Sequence, residues 1–228
     1  MASKKYYAVK KGKNTGIFFN WEECRLSVDG FPGAEYKGFS SREEAMRYLG
    51  MEQSEDSEGL EPADIPPEGR LLAYVDGSYE DSLKKYAFGC VFILPDGRIY
   101  TEYGNGDNPQ SLQHRNVTGE MLGAMYAVRT AMKNSFQELE IRYDYEGIEK
   151  WVTGEWRSRT ELTQKYAQAM REWSKGIRIL FCKVTAHSNV RFNELADALA
   201  KEGLECGDGV PPVKMLEDMK LYGTDSAE

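Results

Sequence analysis

The chain has 228 residues, 41% of them apolar, with 29 Lys/Arg against 37 Asp/Glu and a net charge of −8. That apolar fraction fills a real core, which excludes wholesale disorder, and the length suits one domain plus a smaller module. No apolar run nears the roughly 20 residues that cross a bilayer, Lys4 and Lys5 lead into no apolar signal stretch, and Cys24, Cys90, Cys182 and Cys206 form no CxxC pair, so a cytoplasmic protein with reduced thiols and no membrane partner is expected.

The charge is unevenly spread. Residues 1–50 hold nine bases and six acids, residues 51–69 seven acids and no base, residues 70–205 eighteen bases and nineteen acids, and residues 206–228 two and five. An acidic segment rich in Pro, Gly and Ser cannot bury enough surface to order itself, so 51–69 is expected to be an extended linker. It separates a front domain, 1–50, from a larger one, 70–205, followed by a tail, 206–228, best read as a frayed terminus, with a short amphipathic helix over 213–221 docking on the larger domain or a partner as the alternative.

In chain order, residues 6–10 and 16–19 pattern as strands around a turn. Residues 21–28 have helical spacing that puts Trp21, Cys24 and Val28 on one face, and 34–39 form a third strand. Ser40 and Glu43 make a capping-box signature for a helix to Leu49. Beyond the linker, an apolar strand over 71–75 leads into Asp76-Gly77-Ser78. Strands over 86–94 and 98–104 flank the turn at Pro95-Asp96-Gly97. A helix is expected over 120–133, a strand over 139–144, a short helix over 145–152 and a longer one over 160–175. A buried strand over 177–184 and a last helix over 193–202, stopped by Gly203, complete the chain. This order implies an α/β domain with an antiparallel trio, then parallel strands joined by helical crossovers.

Four acids stand out. Asp76 follows the first apolar strand at the sheet's carboxyl end, Glu120 opens an apolar helix, Asp144 ends a strand and Asp197 lies on the last helix. Singly, each has an ordinary reading as turn residue, helix-start acid, strand cap or solvated face. Together, carboxylates converging on one sheet edge repel unless a divalent cation neutralises them, and hard oxygen donors suit Mg²⁺ or Mn²⁺.

The segments Tyr74-Val75-Asp76-Gly77-Ser78, Thr118-Gly119-Glu120-Met121, Tyr143-Asp144 and Ala186-His187-Ser188 with Asn193-Glu194-Leu195-Ala196-Asp197 resemble the four motifs of type 1 ribonuclease H, in family order. Residues 6–49 separately resemble the small hybrid-binding, or viroplasmin-like, domain, through Tyr6–Gly12, Gly16–Trp21 and Tyr36–Phe39. The resemblance implies a mixed five-stranded sheet with flanking helices, preceded by a small α+β three-stranded domain. It implies an endonuclease that cuts the RNA of RNA–DNA hybrids with two Mg²⁺ ions, Mn²⁺ being an alternative, leaving 5′-phosphate and 3′-hydroxyl ends. By the same resemblance Asp76 bridges both ions, Glu120 and Asp144 complete one site, Asp197 holds the other, and His187 serves proton transfer or product release. Asn116, with backbone groups around Gly77, Ser78 and Gly119, would read the 2′-OH that only RNA carries. Tyr7, Trp21, Tyr36 and Lys37 match the front domain's contacts to hybrid, with double-stranded RNA as a further ligand. The catalytic domain is expected to be monomeric.

This chain departs from the family pattern in four places. Tyr145-Glu146 follows Asp144 where relatives carry Ser and an amide, and the extra charge lies near RNA phosphates. Val117 replaces a second asparagine. Residues 151–160 are too few for a basic handle, leaving Trp156, Arg157 and Arg159 either as a remnant or as a packing tryptophan with two solvated arginines; in the front domain Gly38 stands in place of a second lysine. Two rival readings remain at this level: a non-catalytic hybrid or double-stranded RNA binder with a vestigial nuclease fold, and a DNA-junction resolvase sharing the sheet-edge acids.

Overall fold

The structure, a computed structural model, describes residues 6–13, 15–18, 21–39, 45, 48–49, 60, 64–184 and 191–222. It divides into two compact units, residues 1–57 and 58–228. The capping box at Ser40 and most of the expected linker lie outside the described residues.

In the first unit, strands β1 (Tyr6–Lys11), β2 (Gly16–Phe18) and β3 (Glu35–Phe39) form an antiparallel sheet in the order β2-β1-β3, with helix α1 (Trp21–Val28) against it. Ala8 and Val9 of β1 are fully buried, and Val9 clusters with Cys24 and Val28 of α1. Trp21 does not join them as its spacing suggested. It is 43% exposed, because it sits at the first turn of α1 and leans on Tyr7 and Tyr36 instead.

The second unit is built on strands β4 (Arg70–Glu80), β5 (Lys85–Ile93), β6 (Ile99–Gly106), β7 (Glu138–Tyr143), β8 (Arg178–Lys183) and β9 (Lys220–Leu221), ordered β8-β7-β4-β5-β6-β9. The β4-β5-β6 trio is antiparallel, while β7 pairs parallel with β4 and β8 parallel with β7. Helices α2 (Pro109–Leu112), α3 (Asn116–Lys133), α4 (Gly147–Thr153), α5 (Glu161–Trp173) and α6 (Arg191–Cys206) complete the unit. The period of two in β4 sorts its side chains. Leu71, Ala73 and Val75 face one core with α3 and α5, whereas Leu72 and Tyr74 face a second with Phe192, Ala196 and Leu199 of α6.

Several expectations need correction. The sheet has six strands rather than five, because the tail is not frayed. Leu216 and Met219 are buried in the main core, β9 pairs with Tyr100 and Thr101 of β6, and Tyr126, Lys133 and Asn134 donate hydrogen bonds to tail carbonyls. The expected buried strand is β8, and it is an edge strand with exposed ends. Gly203 does not stop α6, which runs on to Cys206. A Cβ at Gly203 would meet Ala87 Cβ and the Gly104 carbonyl at 3.3 Å, so the glycine serves close packing within the helix. The described part of the expected linker is not free. Leu60 packs against the second core, Pro66 is buried, and Asp64 accepts hydrogen bonds from the Tyr74 hydroxyl (2.7 Å) and Arg142 Nη1 (2.5 Å).

Candidate active site

Asp76 lies inside β4, two residues beyond the last β4 residue paired with β7, so it emerges where the parallel pair stops. Asp144 follows the last residue of β7 and reaches the same edge. Glu120 is one turn into α3 rather than at its start, since the helix begins at Asn116. Two glycines bring that turn onto the strand. A Cβ at Gly77 would stand 2.2 Å from the Asn116 carbonyl oxygen and 2.4 Å from the Glu120 nitrogen, and one at Gly119 would stand 2.0 Å from the Ala87 carbonyl. Only bare Cα atoms permit that contact between helix and sheet. The task the structure gives Gly77 and Gly119 is therefore packing; the Gly77 N–H donates to Asp76 Oδ1 at 2.6 Å.

The result is a cluster in which one carboxylate oxygen each from Asp76, Glu120 and Asp144 lies within 4.8 Å of the others. Glu120 is 2% exposed and its Oε2 is buried with no hydrogen-bond partner among the described residues. Burial, reinforced by the charges of Asp144 and Asp76, pushes the Glu120 carboxyl up to about 9. Burial also pushes Asp76 up to about 7, with the Gly77 N–H opposing the rise and Asp144 and Asp197 adding to it. An orphaned buried oxygen amid three converging carboxylates fits a divalent cation with hard oxygen preference, so the donor set is suited to such an ion.

Asp197 comes from the opposite layer. Its helix α6 presses on β5 at Gly89, the ladder partner of Asp76, where an added Cβ would meet the Ala196 carbonyl at 2.1 Å. Asp197 stays outside the three-carboxylate cluster, and Lys201 Nζ, one turn later, donates to its Oδ2 at 2.6 Å. One turn earlier, Asn193 is buried with Oδ1 unpartnered among the described residues. The sequence reading missed Lys201 and Gly89; the i,i+4 spacing of Asp197 and Lys201 was the available signal.

Asn116 is exposed at the start of α3, Ser78 is half-buried on β4, and His187 lies outside the described residues. Arg115, just before α3, adopts a left-handed φ of 51° and holds its guanidinium 6.0 Å from the Tyr79 ring centre. Glu146 does not present a bare negative charge. Lys150 Nζ (2.6 Å) and Lys183 Nζ (2.8 Å) both donate to it and hold its carboxyl down at about 2. Tyr145 packs on Trp151 and Trp156, and Lys150 lies over the Trp156 ring, so the short 151–160 stretch is tied into an aromatic cluster. In the first unit, Tyr7, Trp21 and Tyr36 form a continuous row with ring centres 5.5 and 5.8 Å apart; Tyr36 is 44% exposed and Lys37 beside it is exposed. An open cavity of about 590 Å³, lined by Met132, Phe136, Ser174 and Arg178 among others, lies at the opposite ends of β7 and β8 and has no part in this site.

Comparison with known proteins agrees with this geometry. Residues 68–205 match RNase H, and residues 5–49 match the ribonuclease H1 N-terminal domain. The chain belongs to the RNase H family. It is 27% identical to ribonuclease H1 of Rattus norvegicus over 90% of each chain, and 27% identical to that of Homo sapiens over 87% of this chain and 88% of the relative. A crystal structure of RNase H1 from the halophilic archaeon Halobacterium salinarum NRC-1 superposes with a TM-score of 0.51 at 27% identity, covering 60% of this chain and 98% of that one. This ribonuclease H is accordingly a metal-dependent hydrolase that binds RNA–DNA hybrids and cleaves their RNA strand.

Proposed function

We propose that Asp76, Glu120, Asp144 and Asp197 are the catalytic carboxylates of this ribonuclease H and that they hold two Mg²⁺ ions, with Mn²⁺ as a substitute. When bound, such ions supply a water of lowered pKa and charge stabilisation at the leaving 3′-oxygen, yielding 5′-phosphate and 3′-hydroxyl ends. The observation that carries this reading is the 4.8 Å cluster with its unpartnered, buried Glu120 oxygen. Asp76 feels the charges of both Asp144, just beyond β7, and Asp197 on α6, which supports its assignment to both positions. Gly77 and Gly119 fix the height of Glu120 above the strand. The exposed Asn116 side chain, at the start of the helix that carries Glu120, would test for a 2′-OH in the strand being cut. His187, ten residues before Asp197, is assigned the proton transfer or product-release role.

In the first unit, the half-exposed Trp21 and Tyr36 offer ring faces to nucleotides, and Lys37 a charge to phosphate. Double-stranded RNA is included as a second ligand of that unit. Trp21→Ala in the full chain should weaken hybrid binding about tenfold, leaving single-turnover cleavage at saturation within twofold.

The deciding experiment offers a labelled RNA–DNA hybrid, with matched double-stranded RNA and DNA, to the protein in Mg²⁺ and in EDTA. Metal-dependent cutting of the hybrid's RNA, lost in Asp76→Asn while binding persists, is the expected result. Binding without cutting in either Mg²⁺ or Mn²⁺ would make the protein a hybrid binder instead, and cleavage near the wild-type rate in Asp76→Asn would remove Asp76 from the site.

A further inference from the structure

The two sides of the carboxylate site are neutralised differently. Among the described residues, no lysine or arginine forms an ion pair with Asp76, Glu120 or Asp144, whereas Lys201 is bonded to Asp197 at 2.6 Å. Residues 196–200 of α6 are pressed on Gly89, across the ladder from Asp76, which fixes the helix and leaves Lys201 facing this edge of the sheet. Its charge reaches Asp76 as well, opposing the upward shift that burial imposes there. The Lys201 side chain is 65% exposed, so its four-carbon stem is free to swing into water.

We infer that Lys201 is a tethered counter-ion for Asp197: its ammonium occupies the carboxylate that the second cation position needs, and it must move aside before a divalent ion binds there. The three-carboxylate cluster and the Asp197 side then differ in affinity by design of the helix, and Lys201 sets the metal concentration at which the second position fills. An ammonium accepts no ligand role and adds one positive charge, so it and a divalent cation cannot share Asp197 without repulsion. This inference rests on the proposed assignment of the four carboxylates to metal.

The test reads metal binding rather than turnover. Mn²⁺ is titrated into the full chain without nucleic acid, and free Mn²⁺ is followed by its paramagnetic resonance signal, in wild type, Lys201→Met, Asp197→Asn and the double variant. Lys201→Met is expected to tighten the weaker class of sites about two- to fivefold, or to reveal it where wild type shows none, while the tighter class stays within twofold. In the Asp197→Asn background the same substitution is expected to change nothing. A weaker class that is unchanged, loosened or absent in Lys201→Met, or a tightening that survives Asp197→Asn, overturns the inference. Failure of any Mn²⁺ to bind would instead strike the metal assignment itself.

Discussion

Gly77 and Glu120 approach so closely that a methyl group on the first would stand 2.4 Å from the backbone nitrogen of the second. The neighbouring atom is main chain, in the first turns of an 18-residue helix, and cannot rotate out of the way. Gly77→Ala must therefore lift the start of α3 off the sheet. Overpacking of this kind costs about 1–3 kcal/mol, and more where backbone must shift. We expect a loss of about 3 kcal/mol in urea unfolding and at least a hundredfold fall in hybrid cleavage, since Glu120 rides on the displaced turn. Gly38→Ala in the first unit, whose Cβ would only touch the Tyr7 ring at 3.4 Å, should change stability by less than about 1 kcal/mol.

The raised carboxyls make metal-free stability depend on pH. Asp76 and Glu120 keep their protons up to about 7 and about 9 in the folded chain, against about 4 when unfolded. Over that interval the folded state binds more protons than the unfolded one, so stability is greatest below about pH 4 for these two groups and declines as pH rises through the folded values. In EDTA, the urea midpoint should fall between pH 5 and pH 9, and saturating Mg²⁺ should flatten the decline. Ion binding should also displace protons: about two at pH 6 and fewer than one at pH 9, seen calorimetrically as a binding heat that depends on the buffer's ionisation enthalpy.

Glu146 offers a separate handle on nucleic-acid affinity. Its two lysine partners, Lys150 and Lys183, are held within 2.8 Å of it. Glu146→Gln removes the charge that occupies them and leaves both ammoniums available to phosphate. Hybrid affinity should rise about threefold at low salt, and the dependence of binding on salt should steepen by about one phosphate contact. Anisotropy titrations at several salt concentrations would reveal this; an unchanged slope would mean the lysines are out of reach of the backbone.

The tail makes a stability prediction. Leu216 is 4% exposed inside the main core, its own N–H donates to Asn134 Oδ1, and the chain beyond it pairs with β6. Leu216→Ala should cost about 2–4 kcal/mol, and removal of residues 213–228 should lower the melting temperature by more than that single substitution. A truncated chain that melts with the wild type would contradict the packing described for this segment.

What the sequence disclosed was mostly what periodicity and fixed spacing can carry. The order of strands and helices, the small front sheet and the four acids were readable because each leaves a local mark: alternation in β4, a helical stripe in α3, a carboxylate next to a glycine. Features decided by distant chain were not. Nothing around Ile179 or Phe181 tells an edge strand from a central one, because apolar content is similar and only the absence of a further neighbour differs. Gly203 looked like a helix stop, although its cause lies in Ala87 and Gly104 across the fold. The polar tail concealed a strand of two residues, too short for any pattern. Asp197 was legible as an acid, but its lysine partner became meaningful only once α6 was seen against Gly89.

The unclosed end of the sheet carries one more consequence. β8 has no strand beyond it among the described residues, and its terminal residues Arg178 and Lys183 both project charge into solvent while bonded sideways to Glu138 and Glu146. A second copy seeking to extend the sheet at this edge, in either direction, would have to strip water from both cations and disturb both pairs. The same arrangement that quiets Glu146 near the site thus protects the chain against edge-to-edge aggregation, and neutralising Arg178 and Lys183 together would be paid for first in colloidal behaviour at high concentration.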